Sequence, residues 1–469
     1  MEKKNAAGKG YSAGISNDMS AEERQKLIDK LGTILEENDR IDPELYKRYN
    51  VKRGLRNEDG TGVLVGLTEI GDVRAYVIDE EEKVPVEGKL LYRGLEINDI
   101  VSGFQSDNRF GYEECCYLLL FGKLPSRSEL KEFEHLLGEL RTLPAGFTED
   151  MIMKAPSKDI MNKLARSVLA SYSYDHNPDD ISIKNVLRQC IELIARFPTM
   201  VAYGYEAKVH FHDRKSLYVH NPSKELSTAE NILRMIRPDK SFTASEAELL
   251  DLALVLHAEH GGGNNSSFVA HVVTSTGTDT YSAIAAAVGS LKGPQHGGAN
   301  LKVMDMMEDI KSAVKDWDDE EEIGGYLAKI LRKEAFDQTG LIYGIGHAVY
   351  TKSDPRTTLL KQKAELLSKE KGQEKEYRLY THIEKLAPEV FFKVKNNTKV
   401  MCANVDFYSG FVYKMLNIPV ELYTPIFAVG RIAGWCAHRM EELVNGGRII
   451  RPAYKSVEPR KAYIPMNER

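Results

Sequence analysis

Three polar residues that could hold a metal ion lie close together in LHAEHGGGNNSSFVAH, residues 256–271. They are His257, Glu259 and His260. Zinc hydrolases of the H-E-x-x-H type place their histidines four positions apart on one helix, so that both rings face one ion. Here the spacing is H-x-E-H, and three glycines follow and end the helix. We therefore expect a loop whose His260 and Asn264 offer hydrogen bonds to a ligand, with His257 as a buried structural residue; a metal-dependent hydrolase is the alternative.

A second histidine, His296, stands in LKGPQHGGANLKVMDMMEDI. Gly293 and Pro294 end one predicted helix, and another begins near Gly298. The positive end of a helix dipole disfavours imidazolium, which leaves a neutral ring able to donate to a developing enolate oxygen. On this segment alone, a structural histidine in a turn is an equally good interpretation.

A third histidine, His347, lies in YGIGHAVYTKSDPRTTLL, a glycine-rich loop that leads into a predicted helix. Asp354 is the expected N-cap and Pro355 the first helical residue, which puts Arg356 in the first turn. A cation there opposes the helix dipole, but it can share an anion with the free backbone N–H groups. We interpret Arg356 as a functional residue for this reason.

Asp406 and Arg431 complete the set of candidate groups. In NVDFYSGFVYKML, Asp406 precedes an apolar helix, where it is either a base or simply an N-cap. Arg431 lies among apolar residues of TPIFAVGRIAGWCAHRMEELVNGGRIIRP and needs a carboxylate or phosphate partner, because an unpaired buried charge costs several kcal/mol. Arg451 follows in the tail, where it could reach a neighbouring subunit. Together these arginines, histidines and one carboxylate suit carbon-acid chemistry on a polycarboxylate.

The elements that position these groups are mostly helices. Ser20 and Glu23 form a predicted capping box for one or two exposed helices within residues 20–50. Apolar and polar residues alternate over about 61–95, which predicts a few short strands, and helical periodicity follows almost to the end of the chain. Helices that are apolar nearly all round, such as the one over 247–260, are expected to be interior.

Composition restricts the classes of function. The chain has 469 residues, enough for roughly two to four domains, with 42% apolar and 28% charged residues and a net charge of −6. Such a balance gives no reason to expect nucleic acid or a membrane surface as a partner. The five cysteines form no C-x-x-C pair, so we expect buried thiols in a reducing, cytoplasmic compartment.

At these residues the sequence resembles the citrate synthase family. The match runs in order through most of the chain, in the motifs LLYRGLEINDI, FGYEECCYLLLFGKLPS, LHAEHGGGNNSSF, LKGPQHGGAN, GIGHAVYTKSDPR, NVDFYSGFVY, TPIFAVGRIAGW and RIIRP. The resemblance implies a mostly α, two-domain fold with a small β-hairpin region near the N-terminus. It also implies a Claisen condensation of acetyl-CoA with oxaloacetate, followed by hydrolysis of the thioester to citrate and CoA.

The resemblance also assigns roles to individual residues. It makes His296 the group that stabilises the acetyl-CoA enol, Asp406 the base, and His347 the group that polarises and protonates the oxaloacetate ketone. The residues it implies for oxaloacetate are His260, Arg356, Arg431, Asn264 and, across a homodimer, Arg451. Those it implies for coenzyme A are Leu341, Ile342, Tyr343, Gly344, Ile345, Gly346, Lys399 and Asn404. Ala403 stands where the family usually has proline.

By the same resemblance the chain divides into two domains after a mobile polar leader, residues 1–20. Residues 21–297 and 418–469 are expected to form a large, dimer-forming domain, and 298–417 a small domain that closes over the active site. No metal and no cofactor is expected, since coenzyme A enters as the thioester substrate. A 2-methylcitrate synthase, which uses propionyl-CoA, is the alternative within the family, because one methylene is worth only about 1–3 kcal/mol of discrimination.

Overall fold

The computed structural model describes residues 19–58, 60–79, 82–347, 349–396 and 401–469. The described residues fall into two compact units, divided between Val65 and Gly66. In the first unit, α1 spans Ala21–Asn38 and α2 spans Pro43–Arg48. Ser20 and Glu23 form the predicted capping box of α1. The predicted leader lies outside the described residues, apart from its last two positions.

The strands of the second unit form a small antiparallel sheet. They are β1 (Gly71–Asp79), β2 (Glu82–Tyr92) and β3 (Leu95–Glu96), in that order. Arg93 and Gly94 connect β2 to β3 with φ of 48° and 83°. Positive φ at both central residues is what a tight two-residue hairpin requires, and glycine adopts it without strain. The predicted β-rich block is therefore confirmed.

Helices make up most of the remaining second unit, which confirms the mostly α fold. They are α3 (Ile97–Ser106), α4 (Tyr112–Phe121), α5 (Arg127–Leu140), α6 (Ile160–Ser171), α7 (Ile183–Phe211), α8 (Thr228–Ile236), α9 (Ala244–His257), α10 (Asn265–Thr274), α11 (Thr280–Lys292), α12 (Ala299–Ala313), α13 (Glu320–Leu331), α14 (Pro355–Glu370), α15 (Glu374–Lys395), α16 (Val405–Met415) and α17 (Tyr423–Val444). Short 3₁₀ turns and one π-helical turn, Thr148–Met153, connect some of them.

The core is centred on α9 and α17, which pack against each other. Nearly every residue from Ala247 to His257 is buried, as predicted for a helix that is apolar all round. α17 also packs against α4, α7, α10 and α11. This central position means that polar side chains of α17 are held rigidly among close-packed neighbours.

The five cysteines are all free thiols, and all except Cys402 are buried. The expectation of buried thiols is thus confirmed at four of the five positions. Among the described residues, no helix is long and apolar enough to cross a membrane. The domain boundaries at residues 298 and 417 stay a prediction.

Candidate active site

A cavity of about 330 Å³ lies where α14, α16 and α17 meet the loops around the three predicted histidines. Its lining includes most of the predicted site residues. These are His260, Asn264, His296, Gly346, His347, Arg356, Asn404, Asp406 and Arg431. The chain thus brings residues from five separate motifs to one cavity, the common arrangement of a small-molecule site.

The segment that follows α9 carries His260, whose surroundings differ from those of His257 and Glu259. His257, the last residue of α9, pairs its Nε2 with the Tyr413 hydroxyl at 2.9 Å. Glu259 instead lies with its Oε1 3.0 Å from His438 Nε2. His260 Nε2 is buried and has no hydrogen-bond partner in the described structure. Interpreting His257, Glu259 and His260 as one metal site is therefore wrong, because His257 pairs with Tyr413 and Glu259 with His438, so neither is directed at an ion shared with His260. His257 is structural, as expected.

His296 lies in the turn before α12, whose N-cap is Gly298, as predicted. Its Nε2 is 3.2 Å from the Ser266 hydroxyl, which also accepts a hydrogen bond of 3.0 Å from Trp435 Nε1. Burial, with a smaller contribution from nearby Arg431, lowers the pKa of His296 to about 4. The ring is therefore neutral at physiological pH, and Ser266 and Trp435 hold it in place.

The tautomer of His347 follows from its backbone contacts. Its Nδ1 accepts hydrogen bonds from the backbone N–H groups of Val349 at 3.0 Å and Tyr350 at 3.1 Å. A nitrogen that accepts in this way carries no proton, so the proton of the neutral ring is on Nε2. The His347 ring lies 5.3 Å from that of His260, centroid to centroid, which places both imidazoles on one side of the cavity.

Arg356 sits in the first turn of α14, and Asp354 is the N-cap, as predicted. The guanidinium is buried and forms a two-point ion pair with Asp354, from Nε to Oδ1 at 3.0 Å and from Nη2 to Oδ2 at 2.7 Å. Burial lowers the pKa of Arg356, but the carboxylate of Asp354 outweighs this effect and raises the pKa above its usual value. The cation is thus held permanently charged in a fixed orientation at the cavity.

Arg431 is a buried cation that has no counter-ion among the described residues. Its Nε donates to the carbonyl oxygen of His257 at 2.6 Å, and its Nη1 is buried with no hydrogen-bond partner in the described structure. Burial lowers its pKa to about 10, still well above neutrality. Among the described residues no carboxylate lies within ion-pair distance, so none of them supplies the partner that the sequence predicts for Arg431.

Asp406 faces the cavity from the first turn of α16. Its alternative role as N-cap is excluded, because Asn404 is the cap and accepts the Asp406 N–H at 3.0 Å. Burial raises the pKa of Asp406 to about 6, although Arg356 and Arg431 lower it. A carboxylate with a pKa close to neutrality is a better base than an ordinary one and is still ionised at pH 7.

Comparison with known proteins identifies the family. A family model described as "Citrate synthase, C-terminal domain" matches residues 59–453. The chain belongs to the citrate synthase family. It is 36% identical over 425 residues to a citrate synthase of Haloferax volcanii, covering 89% of this chain and 99% of that protein. It is also 32% identical over 386 residues to a 2-methylcitrate synthase of Shewanella oneidensis, covering 81% and 92%.

Solved structures of the citrate synthase family have the same fold. One is a ternary complex of carboxymethyl coenzyme A and oxaloacetate with the citrate synthase of Thermoplasma acidophilum. It matches with a TM-score of 0.70 and 26% identity, covering 89% of this chain and 99% of that one. As a member of this family the chain is an enzyme that transfers an acyl group in a condensation. None of these comparisons favours a hydrolase.

Several residues that the family resemblance assigned do not line the cavity. Of the residues predicted for coenzyme A that the structure describes, only Gly346 and Asn404 do so. The others, all in the loop before His347, do not; they are Leu341, Ile342, Tyr343, Gly344 and Ile345. The loop is nonetheless tied to the segment before α16, since Gly346 N–H donates to Cys402 O at 2.7 Å and Asn404 N–H to Gly344 O at 2.9 Å. Gly344 has φ of 79°, and a Cβ there would come within 3.0 Å of Phe407. Its identity as glycine is therefore a backbone requirement.

Two further assignments are not tested by the cavity. Lys399 lies outside the described residues. Arg451 is exposed in the C-terminal segment and does not line the cavity. Both stay predictions within the citrate synthase family.

The sequence also missed residues of the site. The cavity is lined by Gln295, Asn300, Tyr423, Thr424 and Phe427 as well. Helical spacing carried a signal for part of this set, because Thr424, Phe427 and Arg431 are three and four positions apart and must share a face of α17. Phe427 packs its ring 4.8 Å from the Arg431 guanidinium. Ser266 and Trp435, which hold His296, had no recognisable spacing to it.

Proposed function

We propose that this chain is a citrate synthase that joins the methyl carbon of acetyl-CoA to the ketone carbon of oxaloacetate. It then hydrolyses the citryl thioester, releasing citrate and free CoA. The observation that carries the proposal is the convergence on one cavity of a raised-pKa carboxylate, two neutral imidazoles and an unpartnered buried arginine. Deprotonation next to a carbonyl needs a base and a hydrogen-bond donor, and a dianionic partner needs buried cations.

Asp406 removes a proton from the methyl group of acetyl-CoA, and His296 donates a hydrogen bond to the thioester oxygen as the enol forms. For this role the proton of the neutral His296 ring has to be on Nδ1. The Ser266 hydroxyl donates to Asn264 Oδ1 at 2.9 Å, and its oxygen lies 3.2 Å from His296 Nε2. Because a hydroxyl has one hydrogen, it has to turn from Asn264 to His296 Nε2 before His296 can carry its proton on Nδ1. Ser266 is therefore a positioning residue for the His296 ring.

His347 polarises the oxaloacetate ketone through its Nε2 proton while the enol carbon attacks. As the new C–C bond forms, the ketone oxygen becomes an alkoxide and receives a proton through His347. One proton is thus removed by Asp406 and one is delivered to the product, so the condensation step is balanced in protons. Arg431 Nη1 and His260 Nε2, both buried without partners, hold the carboxylates of oxaloacetate. Arg356 adds a fixed positive charge, and Asn264 lines the same cavity. Water then cleaves the thioester, and no metal or redox step is required.

The direct test is release of free thiol by the purified protein. We expect thiol only when acetyl-CoA and oxaloacetate are both present, with citrate formed in equal amount. Thiol released from acetyl-CoA alone, or no thiol with both substrates, contradicts the proposal. Because 2-methylcitrate synthases are among the relatives, kcat/KM is to be compared for acetyl-CoA and propionyl-CoA. A ratio that favours propionyl-CoA assigns the chain to that activity instead.

A homodimer in the cytoplasm, with a small domain that closes over the substrates, completes the proposal. The exposed C-terminal segment supports it, because Tyr454 is 95% and Tyr463 81% exposed, unusual values for aromatic side chains of an isolated chain. Arg451 of this segment would then complete the active site of the partner subunit. The buried free thiols fit a reducing compartment.

Mixing two inactive variants tests the shared site. Homodimers of Arg451→Ala and of Asp406→Asn should both be inactive. A mixed dimer has one site with both residues intact, so mixing after reversible dissociation should restore activity. If Arg451 acts within its own chain, one site of the mixed dimer lacks Arg451 and the other lacks Asp406. Neither site is then complete, and activity stays low.

A further inference from the structure

A second cluster of histidines and carboxylates lies outside the proposed active site. His271 of α10 and His438 of α17 approach each other with Nε2 and Nδ1 only 3.0 Å apart. Glu441, one turn along α17 from His438, brings its Oε2 to 3.9 Å from His438 Nδ1. Of the described residues, these three offer ligand atoms within 4.8 Å of one another. None of them lines the cavity of the proposed active site.

A carboxylate lies beside the outer nitrogen of each ring. His271 Nδ1 is hydrogen-bonded to Glu442 Oε2 at 3.0 Å. His438 Nε2 lies 3.0 Å from Glu259 Oε1, an ion-pair distance at which neither atom makes a hydrogen bond in the described structure. Histidines that bind metals almost always donate their second N–H to a carboxylate or carbonyl, which fixes the tautomer and makes the ligating nitrogen more basic. His271 has that arrangement, His438 has a carboxylate at the same distance, and the remaining nitrogens of the two rings are directed at each other.

The contact between the two inner nitrogens depends on where each ring carries its proton. If each neutral ring donates its proton outward to its carboxylate, the two inner nitrogens meet lone pair to lone pair. At 3.0 Å such a contact is repulsive unless a proton or a metal ion lies between the rings. Glu259, Glu441 and Glu442 together supply enough negative charge to balance a divalent ion.

Glu441 provides the third ligand and is itself anchored. Its Oε1 accepts the backbone N–H of Glu69 at 2.7 Å, while its Oε2 is buried and has no hydrogen-bond partner in the described structure. A buried carboxylate oxygen without a donor is costly, and a cation removes that cost. Its side chain is only 11% exposed, so solvent does not substitute for a ligand.

We propose that His271, His438 and Glu441 bind a divalent transition-metal ion of the zinc class, with water as the fourth ligand. Tetrahedral zinc with ligand distances of about 2.0–2.2 Å places ligand atoms about 3.3 Å apart. The two nitrogens would separate by a few tenths of an ångström, and Glu441 Oε2 would approach by about half an ångström. Two imidazoles with one carboxylate are a zinc ligand set, whereas calcium and magnesium prefer oxygen only.

The surroundings allow an ion to enter and give it a structural role. A cavity of about 380 Å³ adjoins the site, lined by Thr68, Glu69 and Arg93 among others. The Glu69 side chain is 92% exposed, so this side reaches solvent. A Cβ on Gly262 would meet His438, Thr68 and His271 at 3.5–3.7 Å, so glycine leaves room beside the rings. The ion would join α10 to α17 and stabilise the fold without entering the chemistry of the active site.

The test is metal binding by the full-length protein after chelator treatment, with Co²⁺ and Zn²⁺ as probes. We expect one Co²⁺ per chain with the intense visible absorption of a four-coordinate site, displacement by Zn²⁺, and a rise in melting temperature with either ion. His271→Gln should lose this binding. Glu442→Gln, which removes only an outer carboxylate, should weaken it about 10- to 100-fold.

His382→Gln is the matched control. His382 also lies near carboxylates, 3.1 Å from Glu320 and 3.9 Å from Asp318, but none of the described imidazoles pairs with it, so binding should be unchanged. If His271→Gln fails to fold by circular dichroism, Glu441→Gln replaces it, and the visible spectrum should weaken. No stoichiometric binding by the unmodified chain, or an unchanged spectrum in the folded ligand variant, overturns the proposal. Neither result bears on thiol release, so this inference fails independently of the proposed reaction.

Discussion

Asp406→Asn is expected to abolish turnover while making the folded protein more stable above pH 6. The substitution keeps the size of the side chain but removes its ability to accept a proton. Loss of a general base costs about 10²- to 10⁴-fold in rate. The gain in stability has a separate cause, because the ionised carboxyl group is held in an environment that disfavours its charge.

The size of the gain follows from the pKa. Burial raises the pKa of Asp406 from its usual 3.8 to about 6. At 1.36 kcal/mol per unit this shift corresponds to about 3 kcal/mol, and solvent in the cavity reduces the working figure to about 2 kcal/mol. A carboxyl group with a higher pKa in the folded state binds its proton more tightly when folded. Ionised Asp406 therefore opposes folding fully above pH 6, less as the pH falls towards 3.8, and not at all below that.

The assay is urea unfolding of both proteins at fixed chain concentration, at pH 8 and at the lowest pH where the fold persists. Asp406→Asn should raise the free energy of unfolding by about 2 kcal/mol at pH 8, and the difference should shrink as the pH falls below 6. In the unmodified enzyme, the value of kcat/KM should fall below about pH 6, because the base has to be ionised.

Asp337→Asn is a control of opposite sign. Burial raises the pKa of Asp337, but hydrogen bonds from Tyr343 and Thr339 outweigh this effect and lower the pKa below its usual value. Ionised Asp337 therefore favours folding, and its replacement should destabilise the protein at pH 8. Equal or reduced stability of Asp406→Asn at pH 8 would refute the reasoning, as would an acid limb of kcat/KM near pH 4.

Three further substitutions separate binding, positioning and structure. Arg431→Lys keeps the charge but loses the planar donors, so KM for oxaloacetate should rise about 10- to 100-fold in steady-state assays; an unchanged KM contradicts its role. Ser266→Ala should lower kcat about tenfold with little change in KM for oxaloacetate, since His296 loses its partner; a change in KM alone argues against positioning. Tyr413→Phe leaves buried His257 Nε2 unpaired and should cost about 1–3 kcal/mol in urea unfolding, with kcat largely retained.

Local sequence signals predicted the elements of the site well. Asp354, Pro355 and Arg356 gave the start of α14 correctly, because capping chemistry is contained within a few residues. The same signals could not distinguish a cap from a base at Asp406. That distinction depended on Asn404, whose side chain takes the capping position two residues earlier and leaves the Asp406 carboxylate for the cavity.

Contacts between distant segments were beyond such signals. His271 and His438 are 167 positions apart and meet only because α10 packs on α17. The glutamate of the first cluster, Glu259, likewise pairs with His438 rather than with its neighbours in the sequence. The helical period shows which residues share one face of a helix. It does not show which other helix packs against that face.

Three of the buried arginines show how the partners of a guanidinium differ between a paired residue and a candidate binding residue. Arg356 is paired with Asp354, and Arg439 donates to Thr274, Thr278 and Thr280. Arg431 lies two turns before Arg439 on the same helix, equally buried, yet its Nη1 has no partner in the described structure. An unsatisfied donor on a fully buried guanidinium is costly, and a ligand carboxylate in the adjoining cavity would remove that cost. Both arginines lie on the same buried helix, so it is the geometry of their donors that favours Arg431 as the residue proposed to bind a substrate carboxylate.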